Sequence, residues 1–406
     1  MGSLADIKVL EFASPYGGYA GKMFADLGAD VIHIEPPEGD PTRFVWPFYK
    51  DKPDREGSLK YLYHNTSKRG MVLDITRPEG QEVFLKLVKT ADIVIEAFNP
   101  GYMESLGMGY ESLKKVNPKI VYVSITPFGQ EGPYADFPAS NLTVSALAGW
   151  LYLAGTGNNK PALAYGEQAC MMAFCYAASG AMAAFYDAEA TGEGQMVEIS
   201  MQESVVTACE NACQYWDLEK IERRATEEIE AGRNVYECKD GFVSAMFSMG
   251  DNRYLWDPFW QWMNDEGRPD LAEIFGSEDF RGRAYRATDE AKKVFKEKAE
   301  PFIKQFDKTY IYLETQKRRT VCYPVNDPKD VLNSEQLNYR NYFKKLYHES
   351  LGGEVTYPGE VYYLEKMEWG LKPAPTFGQH TVEILKELGY ADEQVNTLKE
   401  GGVVIG

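Results

Sequence analysis

An α/β fold with a parallel sheet and a second, smaller domain is what the amino-acid sequence predicts. Two patterns carry that reading. Within the first 130 residues, short continuous apolar runs alternate with helical stretches, and a later segment holds an aromatic cluster large enough to need its own core. In order, IKVLEF reads as a buried strand, Tyr19 to Leu27 as a helix and ADVIHIE as a second strand. Pro78 to Lys89 then reads as a helix, ADIVIEAF as a third strand and KIVYVSIT as a fourth. Strands separated by helices are βαβ units, whose strands run parallel. Ligands of such sheets bind beyond the carboxyl ends of the strands, which here gathers loops 13–18, 36–43, 97–101 and 126–132 on one rim. None of these loops reads GxGxxG, so a nicotinamide cofactor has no support.

The stretch from Ala169 to Tyr186 is nearly all small and apolar. Ala173, Ala177, Gly180 and Ala184 fall on one helical face and allow close packing. Its length approaches a membrane span, but Ala, Gly, Ser and Cys outnumber Leu and Ile, and Glu167, Asp187 and Glu189 flank it, so a buried helix is expected. Directly before it stands Tyr165-Gly166-Glu167. A lone carboxylate there, with a glycine leaving room for a ligand, suits a carboxylate nucleophile. The plainer role is an acid that complements the helix dipole, and spacing alone favours it. Beyond this helix, Gln195 to Ser200 alternates as a strand, Gln202 to Gln214 resumes a helix, and residues 219–233 read as a charged connector. NVYECKDGFVSAMF suggests a hairpin around Lys239-Asp240-Gly241. Tyr254, Trp256, Phe259, Trp260 and Trp262 fill the core of a second domain expected over 234–322. A strand and helix follow in RTVCYPVNDPKDVL, and two short amphipathic helices end the chain.

With 43 basic against 61 acidic residues in 406, the net charge of -18 opposes general binding to nucleic acid or an anionic membrane, so any polyanionic ligand needs a local basic pocket. The N-terminal MGSLADIKVLEF lacks a secretory pattern, and the cytoplasm is the expected location. Six scattered cysteines without a CxxC read as reduced thiols. His33, His64, His348 and His380 all lie far from Cys209 and Cys213 in sequence, which makes a metal site improbable.

Several strings together resemble the family III CoA-transferases, the group that includes formyl-CoA, carnitine-CoA and benzylsuccinate CoA-transferases. They are IKVLEFASPYGGYAGKMFADLGADVIHIEPPEGDPTR, NTSKRGMVLDITRPEGQEVFLKLVKTADIVIEAFNPGYMESLGMGYESLKKVNPKIVYVSITPFGQEGPY, YGEQA, ATGEGQMVEISMQES, PVNDPKDVL and PAPTFGQHTVEILKELGY, spread over nearly the whole chain. The resemblance implies a Rossmann-like large domain built from both chain ends, 1–218 and 323–406, a smaller central domain, and two chains interlocked as a dimer. It also implies transfer of coenzyme A from an acyl-CoA to a free carboxylic acid through covalent intermediates on a carboxylate, with the CoA thioester as substrate and no permanently bound cofactor. Carried over residue by residue, the nucleophile position falls on Glu167, where most members have aspartate, and Tyr16, Gly17, Arg43, Lys68, Arg69 and Phe98 fall on the CoA site.

Departures from the family pattern fall on the same site. Pro36-Pro37 replaces a basic residue, Ala97 an asparagine and Ser105 an arginine, and a glycine-rich lid would fall on FSMGDN, where Gly250 is the one glycine. None of the three replacements can give a charge-assisted bond to phosphate. Two readings follow: a structural or weakly active subunit paired with an aspartate-bearing homologue, and a self-sufficient homodimer using Glu167. A racemase on the same scaffold is a third, although no histidine lies near Glu167 in sequence. Lys22 and Arg43 make a dicarboxylic partner such as succinate compatible, and the aromatic loops could accept an aryl-containing, benzylsuccinate-like acid, although packing is their plainer role.

Overall fold

The computed structural model describes residues 3–155, 160–222, 224, 229–366 and 369–406. The chain divides into two compact units, one of Met1–Leu153, Ala162–Arg223 and Tyr339–Gly406, the other of Ala154–Pro161 and Arg224–Asn338.

The larger unit is organised by a sheet of seven strands. These are β1 (Lys8–Phe12), β2 (Asp30–Glu35), β3 (Arg69–Leu73), β4 (Ile93–Glu96), β5 (Val121–Thr126), β6 (Met196–Ser200) and the C-terminal β12 (Val404–Ile405), in the order β12-β3-β2-β1-β4-β5-β6. All neighbours are parallel except β12, which runs antiparallel to β3. The order 3-2-1-4-5-6 is that of a doubly wound sheet, and it reverses direction between β1 and β4. The central strands are buried on both faces and largely apolar, with Glu11, His33, Glu35 and Glu96 among the buried polar exceptions towards their carboxyl ends. Val9, Val31, Ile93 and Val121 join one core, while Leu10, Ile32, Val94 and Tyr122 join the other, as a two-residue period requires. The long helix Gln168–Thr191 buries Ala169, Cys170, Ala173, Phe174, Ala177 and Ala181 on the first of these faces. There Gly180 lies so close to Val197 that a Cβ would come within 2.9 Å of it. Tyr176 and Tyr186, on the outer side of this helix, are exposed.

Two strands of this sheet and a separate hairpin differ from expectation. RGMVL was not expected as a strand, since it offers only three apolar side chains after Arg69 and Gly70, yet it forms β3. The terminal β12 is two residues long, too short for any pattern, and is fixed by pairing with Val72 and Leu73. A further antiparallel hairpin, β10 (Phe343–His348) with β11 (Gly353–Pro358), was also unanticipated.

The smaller unit carries an antiparallel sheet of β7 (Arg233–Cys238), β8 (Gly241–Met246) and β9 (Val321–Val325). Trp256, Phe259 and Trp262 are fully buried in its core, with Trp256 Nε1 donating to the Phe275 carbonyl at 2.7 Å, whereas Tyr254 is exposed. Because β9 pairs with β8, the chain returns to the larger unit at Tyr339 rather than at the expected 323. The expected connector 219–233 includes residues 223 and 225–228, which lie outside the described residues.

Candidate active site

Glu167 is the N-cap residue of the long helix, and Gly166 before it adopts φ +83°, which turns the chain sharply into the helix. The carboxylate makes no capping hydrogen bond. Asn141 does that work instead: its Oδ1 accepts from the Ala169 N–H at 2.9 Å and its Nδ2 donates to the Gly166 carbonyl at 3.3 Å. The capping hydrogen bond is therefore made by another residue, while Glu167 keeps its place at the positive end of the helix dipole and its side chain, 44% exposed, turns outward. It meets Lys60, whose Nζ lies 2.6 Å from Glu167 Oε2 and also donates to the Pro15 carbonyl at 3.2 Å.

Lys60 belongs to the helix Leu59–His64, capped by Ser58. One turn further, on the same face, His64 is buried against Gly17, Tyr19 and Phe174. Its Nδ1 has no hydrogen-bond partner, and burial together with Lys60 and Lys68 pushes its pKa down to about 3, so the ring is neutral. Gly17 sits at φ +103°, and a Cβ there would come within 2.2 Å of that nitrogen. Burial pushes up the half-buried Tyr16 phenol, with Cys170 adding to the shift. Burial also pushes the Cys170 thiol up to about 12, with the Glu167 charge contributing. Tyr16, Gly17 and Glu167 are thus brought to one neighbourhood, around Lys60 and His64. Sequence reasoning singled out neither of those two, because a lysine and a histidine four apart on a short helix carry no distinctive signal.

The other expected residues have different surroundings. Arg43 is fully buried. Its guanidinium pairs twice with Glu35, at 2.7 and 2.8 Å, and donates to Glu56 at 2.8 Å, to the Tyr61 hydroxyl at 2.6 Å and to the Pro375 carbonyl at 3.2 Å. Lys68 is equally enclosed, bonding Glu11, the Gly18 carbonyl at 2.6 Å and Asn65 at 2.8 Å, which uses all three of its donors. Arg69 turns back toward the amino end of β2, paired with Asp30 at 2.7 and 2.8 Å and with Glu387 at 2.8 Å. All three of these side chains, expected at the CoA site, are thus engaged with carboxylates or carbonyls of the protein. Lys22, considered for a second carboxylate, is likewise buried on Asp26 at 2.6 Å. Phe98 stays on the rim where the sheet reverses, packed on Phe12 and Tyr102 with centroids at 5.4 and 4.7 Å. Beneath it, burial raises the Glu96 carboxyl to about 7, and its Oε2 accepts from the Phe98 N–H at 2.7 Å. Pro36, Ala97 and Ser105 add no charge to this rim.

Comparison with known proteins identifies the family. The family model of CoA-transferase family III matches residues 4–381. The BbsE subunit of succinyl-CoA:(R)-benzylsuccinate CoA-transferase from Thauera aromatica is 39% identical over 98% of this chain and 97% of its own length. The beta subunit of succinyl-CoA–L-malate CoA-transferase from Chloroflexus aurantiacus is 28% identical over 99% and 98%. Among solved structures, a CAIB/BAIF family protein from Brucella suis superposes with a TM-score of 0.84 at 26% identity, covering 95% of this chain and 99% of that one. The chain belongs to CoA-transferase family III.

Proposed function

We propose that this chain is the non-transferring, or only weakly active, subunit of a heteromeric CoA-transferase, assembled with a homologous chain that carries the aspartate nucleophile and the CoA grip. The observation that carries the reading is the internal pairing of Arg43, Lys68 and Arg69. A polyphosphorylated ligand is held by charge-assisted bonds worth about 1.5–3 kcal/mol each, and donors already engaged with carboxylates in the protein do not supply them. Two relatives described as subunits point the same way. Their names support succinyl-CoA as the donor, and that of the BbsE subunit supports an aryl-substituted succinate as the acceptor. An interlocked dimer, with both chain ends in one Rossmann-like domain, is the assembly proposed, and the exposed Tyr176 and Tyr186 of the long helix suit a face covered by another chain.

A second reading, a self-sufficient homodimer acting through Glu167, draws on the freedom of that carboxylate from helix capping. Radiolabel exchange between succinyl-CoA and a free acid separates the two. The subunit reading expects no exchange by this chain alone, exchange by the complex with the aspartate-bearing homologue, and little change in that complex on Glu167→Gln. Exchange by the chain alone that is lost in Glu167→Gln would establish the homodimer.

A further inference from the structure

We infer that Lys60 holds Glu167 as one end of a bridge from the loop after β1 to the long helix, and so keeps this carboxylate out of acyl transfer; the inference rests on the non-transferring reading above. Three observations meet here. Asn141 takes the Ala169 N–H, and no hydrogen bond from the helix N-terminus holds the Glu167 side chain. Lys60 does direct it, and the same ammonium is tied to the Pro15 carbonyl, which makes a link between two parts of the rim. The glutamate is also the length the link needs. An aspartate on this backbone would withdraw its carboxylate by about 1.5 Å, leaving it about 4 Å from Nζ, at the limit of an ion pair. The departure from aspartate and the presence of Lys60 thus explain each other. With Glu167 exposed, the pair contributes little to stability, and its effect is placement. A carboxylate whose lone pairs face a cation has to leave it before attacking a thioester carbonyl.

Zero-length coupling with a water-soluble carbodiimide tests the bridge in the assembled complex. The Glu167 carboxylate oxygen adds to the carbodiimide carbon to form an O-acylisourea. The Lys60 amine, having given a proton to solvent, then attacks the acyl carbon and the urea departs, leaving an isopeptide bond. Peptide mapping is expected to find the Lys60–Glu167 link in the wild-type chain, at least tenfold less of it in Glu167→Asp, and none in Lys60→Arg, which retains the charge but cannot be coupled in this way. In Lys60→Met, labelling of Glu167 by carbodiimide and glycinamide is expected to rise at least threefold. After succinyl-CoA and hydroxylamine, no hydroxamate is expected on wild-type Glu167. A missing link, or equal labelling with and without Lys60, overturns the bridge and leaves the subunit reading standing. A hydroxamate on wild-type Glu167 overturns both.

Discussion

Two clusters of charge in the larger unit, one behind the rim and one on it, show how differently the same residue types behave. Behind the rim, Arg43 and Glu35 are fully buried, and Lys68 and Glu11 are nearly so, each side chain meeting several partners. On the rim, Lys60 and Glu167 make a close pair of which one member is 44% exposed. A buried pair is held by its surroundings and is destabilising to break, whereas an exposed pair is energetically slight and can be rearranged. The first cluster therefore builds the fold, and the second is the one that, on the reading proposed above, permits or withholds chemistry.

Breaking the inner cluster gives the largest effect. Arg43→Met leaves Glu35 buried without its counter-ion and is expected to lower unfolding free energy by about 3–5 kcal/mol in denaturant titrations. A loss near that of a surface mutant would erase the contrast. Gly17→Ala comes next, since a side chain at φ +103° is strained and its Cβ would meet His64. A loss of at least about 2 kcal/mol is expected, with recovery of part of it when His64 is also made alanine. A pH profile sharpens the same boundary. His64 is neutral in the folded chain down to about 3 but takes a proton near 6.5 when unfolded. The stability due to it is therefore complete above 6.5 and is lost as pH falls toward 3. Between pH 6.5 and 5 the loss is about 2 kcal/mol, to be read as the difference between wild type and His64→Leu, which lacks the titration. Lys60→Met is the smallest, within about 1 kcal/mol of wild type, and a loss comparable to that of Arg43→Met would place the rim pair among the structural ones.

Much of the fold could be read from the residues because the strands that matter most are continuous apolar runs. β1, β2, β4 and β5 are buried on both faces and stand out for that reason, while β3, with Arg69 at its start and three apolar residues, and the two-residue β12 depend on neighbours far away in the chain. The small-residue face of the long helix and the aromatic core of the smaller unit were likewise visible as patterns. At the candidate site, Glu167 was legible through Gly166 and the helix behind it. What Arg43 and Lys68 do was not. The family resemblance assigns them to the CoA site, and only the fold reveals that they pair with Glu35 and Glu11. Lys60 was invisible for a related reason, since its partner lies over a hundred positions away and nothing in LKYLYH marks one lysine for it.

Binding stoichiometry tests the central claim most directly: that this chain keeps the family scaffold while Arg43, Lys68 and Arg69 are committed to carboxylates of the protein itself. In calorimetric titration of CoA into the complex purified with its aspartate-bearing homologue, one CoA bound for every two chains is the predicted result. One CoA bound to every chain, with affinity reduced by substitutions at Tyr16 or Phe98 of this one, would contradict it.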